Sequence, residues 1–200
     1  MKNKKKSVDA LPNIGVAIKN IEQISHQFPP LTDKRDAQGK LRASWMTGVL
    51  PYLDQAPAYN QMNFDTAWDD PSNHKIIKYT LPEFQQPDVN KLTDAREFGL
   101  AHYTGNSQFF RAEKQLTTSD VKDGLSNTVA AGVVNDGYRP WADPENVRDF
   151  ANGIAGGPHA FGPAGQLGMI VLMADGSVRQ LTPDISPDVL KAMANPTDGR

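Results

Sequence analysis

Ile14, Ala17, Ile18, Ile21 and Ile24 recur at spacings of three and four, which predicts an amphipathic helix of roughly 12 residues ended by Phe28-Pro29-Pro30. Residues 31–41 are rich in charge and read as an exposed loop or hairpin tip. Ser44 is a capping residue for a second short helix carrying Trp45, Val49, Leu50 and Tyr52, made irregular by Gly48 and Pro51. Asp70-Pro71-Ser72 opens a helix over residues 73–79, because Asp caps free amides and Pro suits the first turn. Beyond Pro82 and Pro87 the pattern changes to short β-type runs at residues 100–104, 128–134 and 169–174. The last run is continuously apolar, and Asp175-Gly176 supplies turn residues that return it through residues 177–181 as a hairpin. Ser186-Pro187-Asp188 opens a final helix over residues 189–193. No internal repeat is present. The pattern predicts an α+β fold in which an N-terminal helix lies on an antiparallel sheet.

Composition adds long loops to this picture. The chain has 200 residues with 16 Gly and 15 Pro, so turns and irregular connections take up much of it. Its length suits one domain, expected at 13–200 behind a basic, flexible terminus at 1–12. A formal net charge of -2 offers no field to attract nucleic acid. With no cysteine, disulfides, thiolate metal sites and cysteine nucleophiles are excluded. Lys2 and Lys4-Lys5-Lys6 are followed by Ser7-Val8-Asp9-Ala10-Leu11-Pro12, which is not the apolar stretch of a signal peptide. No run reaches the ~18 apolar residues of a membrane span, so a soluble chain without an export signal is expected.

Candidate chemistry is sparse. Ser126, His159 and Asp175 are the residue types of a hydrolytic triad, but Ser126 lacks a Gly-x-Ser-x-Gly setting and its neighbours suit a turn. His26, His74, His102 and His159 show no paired ligand spacing for zinc. Asp120, Asp123 and Asn127 form the weak calcium candidate, and Asp143 with Glu145 a second acidic pair; neither follows the regular calcium-loop pattern. No other cofactor is expected. The glycine-rich run at residues 153–158 lacks the Lys-Ser/Thr end of a phosphate-binding loop. Trp45, Trp68 and Trp141 are core anchors or, in an alternative reading, platforms for a carbohydrate or small ligand at the cell envelope.

Several motifs combine in order. Ile14-Gly15-Val16-Ala17 leads to Phe28-Pro29-Pro30, then come Ser44-Trp45, Leu50-Pro51-Tyr52-Leu53-Asp54-Gln55, Phe64-Asp65 and Trp68-Asp69-x-Pro71-x-Asn73. Asp123-Gly124-Leu125-Ser126-Asn127-Thr128, Pro140-Trp141 and Ala174-Asp175-Gly176-Ser177-Val178-Arg179 follow. Together they resemble the DUF1559 family, the planctomycete type IV pilin-like (pseudopilin) proteins of type II secretion. That resemblance implies a pilin-like head and a non-enzymatic structural or assembly role. Protein partners, self-assembly included, and a periplasmic or cell-surface location are implied with it. The chain departs from the family pattern in lacking the prepilin transmembrane segment and both family cysteines. The family motif of His, spacer and Asp-Gly maps onto His159, Asp175 and Gly176, with a longer spacer than usual. The resemblance also makes the stripe of Ile14, Ile18, Ile21 and Ile24 an assembly face, docked within the chain or onto a second copy.

Overall fold

The computed structural model describes residues 10–29, 35–87, 89–112, 114–153, 160–162 and 168–199. The apolar stripe forms helix α1 (Ala10–Ser25), longer than its periodicity indicated because Ala10 and Leu11 are buried as well. Pro12 falls in the first turn, where the N–H it lacks has no helical acceptor. His26 ends the helix with φ 58° while its N–H still donates to Glu22 O at 2.7 Å.

Ser44 caps α2 (Trp45–Val49): its Oγ accepts from Thr47 N at 3.1 Å and donates to Trp141 O at 2.6 Å. The chain then tightens into a 3₁₀ turn at Leu50–Tyr52, where Pro51 lacks the N–H that would continue the α-helical bonding, and makes one further turn, α3 (Ala56–Tyr59). Asp70 accepts from Ser72 N at 2.9 Å and starts a 3₁₀ turn (Pro71–Asn73) that continues into α4 (His74–Ile77). The helix expected over 73–79 is therefore present two residues earlier, as a 3₁₀ turn followed by one α-helical turn that ends at Ile77. The described part of the 31–41 loop closes through a bridge between Arg35 and Leu41, with Gly39 at φ 81°.

A five-stranded sheet has the order β5 (Val147–Arg148), β2 (Tyr103–Asn106), β3 (Val129–Val133), β6 (Met169–Met173) and β7 (Val178–Leu181). Its pairs are antiparallel except β2 with β5, which run parallel, so the sheet is mixed. The predicted run at 100–104 is split: β1 (Leu100–Ala101) pairs with β4 (Arg139–Pro140), while His102 turns its N–H to Phe84 O at 2.8 Å. Neither β4 nor β5 has a periodicity to read, since two residues cannot show one. In the last hairpin only Gly176 takes a positive φ (84°), and Asp175 acts by accepting from Ser177 N and Oγ at 2.8 and 2.6 Å.

Alternation along β6 divides the interior in two. Met169, Val171 and Met173 face a core shared with Val129, Phe150 and Phe161, closed by Leu190 and Ala194 of α5 (Pro187–Ala194). Leu172 faces the larger core, where α1, α2 and the turn at Pro82–Phe84 pack. Asn106 Nδ2 links the two sides, donating to Val129 O and Ala194 O, each at 2.8 Å.

Candidate functional site

Three separated sequence motifs meet where α1 crosses the β6–β7 turn. Gly15 permits the crossing: a Cβ there would stand 2.7 Å from Gly176 O and 2.8 Å from Leu172 Cδ1. On the opposite side, the loop before β3 is tied to the same turn, with Ala174 N donating to Thr128 O (2.8 Å) and Asp175 N to Leu125 O (3.1 Å). That loop is shaped by Gly124 at φ 85° and by Asn127, whose N–H donates to Gly124 O and whose Nδ2 donates to Asp123 O, both at 3.0 Å. Asp175 and Gly176 thus sit at a junction built from both ends of the chain.

The stripe assigned to assembly is divided by this packing. Ile14, Ile18 and Ile21 are buried in the chain's own core, whereas Ile24 is 71% exposed, as is Val16 at 57%. At the N-terminal end of α1 an apolar groove of about 290 Å³ opens between Leu11, Pro87, Tyr103, Val133, Ile170 and Val178. Ile170 and Val178 remain 45% and 38% exposed, and β7 is the edge of the sheet. The groove was hidden in the sequence because Ile170 belongs to a continuous apolar run. Only its strand register places it on the opposite face from Met169 and Val171.

Residues 9–107 match the family model described as a protein of unknown function, DUF1559. The match covers just under half of the chain, running from α1 to the end of β2. It takes in Gly15, the Ser44-Trp45 cap and the Asp70 turn. No curated protein and no solved structure matches the chain.

The remaining candidates have other structural engagements. Asp120 accepts from Thr117 N at 2.9 Å in a capping box and meets Lys114 Nζ at 2.5 Å. The lysine bond, followed by those from Thr117, pushes its carboxyl well below the usual range. No group of three or more His, Asp or Glu side chains is gathered as a metal site among the described residues. Of the triad residue types, Ser126 is exposed and adjacent in sequence to Leu125, which accepts from Asp175 N, while His159 lies outside the described residues. The glycine-rich run lies outside them too, apart from Gly153. Trp45 and Trp141 are fully buried, their ring N–H groups donating to Asn146 O (3.2 Å) and Tyr79 O (3.0 Å), and Trp68 is half-buried. No helix among the described residues is long and apolar enough to cross a membrane.

His102 is fully buried and held in one tautomer. Gln86 N–H donates to Nδ1 at 2.8 Å, so Nε2 carries the proton and donates to Lys91 O at 3.0 Å. Burial lowers the pKa below its ordinary 6.5, with the Lys91 bond acting in the opposite direction. The unfolded chain therefore binds this proton at a higher pH than the folded one. The stability contributed by neutral His102 is full above about pH 6.5 and declines as pH falls from there toward the lowered folded value. Urea unfolding at pH 7.5 and pH 5.5 is expected to show this decline, and His102→Gln should flatten it even if the variant is less stable throughout.

Proposed function

We propose that the chain is a non-enzymatic assembly module, the head of a pseudopilin-like secretion or surface protein that works at the cell envelope by protein–protein contact. The observation that carries this reading is the apolar groove at the N-terminal end of α1, bordered by partly exposed Ile170 and Val178 and by the sheet edge β7. Exposed apolar surface beside an unpaired strand edge is suited to contact with another chain. The docking of α1 through Gly15 supports the same reading, because it fixes the direction of the helix against the sheet. Val16 and Ile24 stay outside the core, on the surface that a neighbouring helix would meet.

The test is to place an apolar membrane-spanning helix ahead of Ala10 and follow assembly in membranes by cross-linking and electron microscopy. Ordered oligomers or filaments are expected, and Ile170→Lys with Val178→Lys should abolish them without unfolding the head. A protein that stays dispersed under assembly conditions, or assembly indifferent to both lysines, would refute the proposal.

A further inference from the structure

A second concavity, sharing no residue with the groove, has different chemistry. It is a cleft of about 440 Å³, within the usual size of small-ligand sites, and among its walls are Lys40, Trp68, Arg96, Arg139, Asp143 and Glu145. Arg96 lies over the Phe98 and Trp68 rings, 4.4 and 5.5 Å from their centres. Asp94 Oδ2 fixes it through Nε (3.0 Å) and Nη2 (2.9 Å). Three of the five guanidinium N–H bonds, one on Nη2 and two on Nη1, remain beyond that contact. Arg139 uses one nitrogen, Nη1, for both Asp143 (3.0 Å) and Glu145 (3.1 Å), and so also keeps donors in reserve. Lys40 is exposed and makes no ion pair among the described residues.

The lining as a whole holds Arg35, Lys40, Arg96 and Arg139 against Asp69, Asp143 and Glu145. Asp94, just behind the lining, offsets Arg96, so the charges balance; the donors do not, because Asp94, Asp143 and Glu145 are already engaged by Arg96 and Arg139 while Lys40, Arg96 and Arg139 keep N–H groups to spare. A ligand that satisfies such a wall needs an anionic acceptor for the spare N–H donors and hydroxyls that donate to the remaining lone pairs of the carboxylates. A bare sulfate or phosphate meets the cations but is repelled by the three acids. A neutral sugar satisfies the acids but offers the spare donors only hydroxyl oxygens, weaker acceptors than a carboxylate. Trp68 adds a flat apolar surface for the C–H face of a ring.

We propose that this cleft binds an anionic saccharide, one uronic-acid carboxylate lying among Lys40, Arg96 and Arg139 and its ring against Trp68. Trp68 reports on occupancy because Trp45 and Trp141 are fully buried. Titration with digalacturonate is expected to give saturable heat in calorimetry and a tryptophan fluorescence change, whereas maltose, sodium sulfate and glutamate at the same concentration give neither. Arg96→Gln and Lys40→Met, both at exposed positions, should each weaken binding about tenfold, the loss of one charge-assisted contact; Lys40→Met leaves the melting temperature unchanged, and circular dichroism checks that Arg96→Gln, which also gives up its contacts with Asp94, Phe98 and Trp68, stays folded. Absence of saturable binding up to about 10 mM digalacturonate overturns the proposal. It is equally overturned by maltose, sulfate or glutamate binding as tightly, or by Arg96→Gln binding as well as the parent. None of these outcomes bears on assembly through the groove.

Discussion

Trp45→Ala is expected to cost about 4 kcal/mol of folding stability, read as a lower urea midpoint with an unchanged slope. The indole is fully buried at the centre of the larger core. It stacks on Phe110 with ring centres 4.6 Å apart and planes 9° apart. The backbone of β2 closes over this pair, since a Cβ at Gly105 would stand 2.6 Å from Phe110 and 2.8 Å from Trp45 Nε1. With the strand already in contact with the rings, the core has little room to collapse into the space an alanine leaves, and the cavity term should be nearly complete. Trp45→Phe separates volume from hydrogen bonding. Asn146 O also accepts from Gly105 N at 3.2 Å, so loss of the indole N–H does not leave that carbonyl unpaired. Phenylalanine should therefore recover more than half of the loss. If alanine cost less than about 1 kcal/mol, the core would have to be far more compliant than its packing implies.

Gly15→Val should cost about 3 kcal/mol by the opposite route, overpacking. Added atoms would run into Gly176 O and Leu172 Cδ1, at 2.7 and 2.8 Å from the first of them. The nearest obstacle is a backbone carbonyl in a turn held by Asp175 and by the 125–128 loop, so α1 has to lift away. Limited proteolysis is the sharper measurement: cleavage within α1 should accelerate in Gly15→Val, while Val16→Ala on the exposed side leaves it unchanged. Equal protease resistance in both variants would mean that the close approach does not hold the helix.

Much of this architecture is legible in the sequence where local rules act alone. The stripe of α1, the Ser44 and Asp70 caps and the final hairpin follow from spacing, capping and turn chemistry, and each appears at its expected position. The parallel pairing of β2 with β5 is not legible, because it depends on hydrogen bonds from Gly105 and Ser107 to Asn146 and Arg148 across an intervening stretch that itself contains β3 and β4. The stripe was legible as apolar but not as to what covers it. The same spacing serves an intramolecular core or a contact between chains, and the structure gives Ile14, Ile18 and Ile21 to the former. The charged cleft was invisible for a related reason: Lys40, Trp68, Arg96 and Arg139 belong to four separate loops or short elements, and nothing in their spacing announces that they meet.

The contact between Gly15 and Gly176 also sets an order of events during synthesis. Helix α1 leaves the ribosome well before the hairpin beneath it. Until β6 and β7 emerge, α1 can meet α2 and the turn at Pro82–Phe84 but lacks the part of its floor that Leu172 and Gly176 supply, and its apolar stripe is only partly covered. Closure between such distant segments is intrinsically slow. The interval before it is when a chaperone or targeting factor has access to a surface that the finished protein hides.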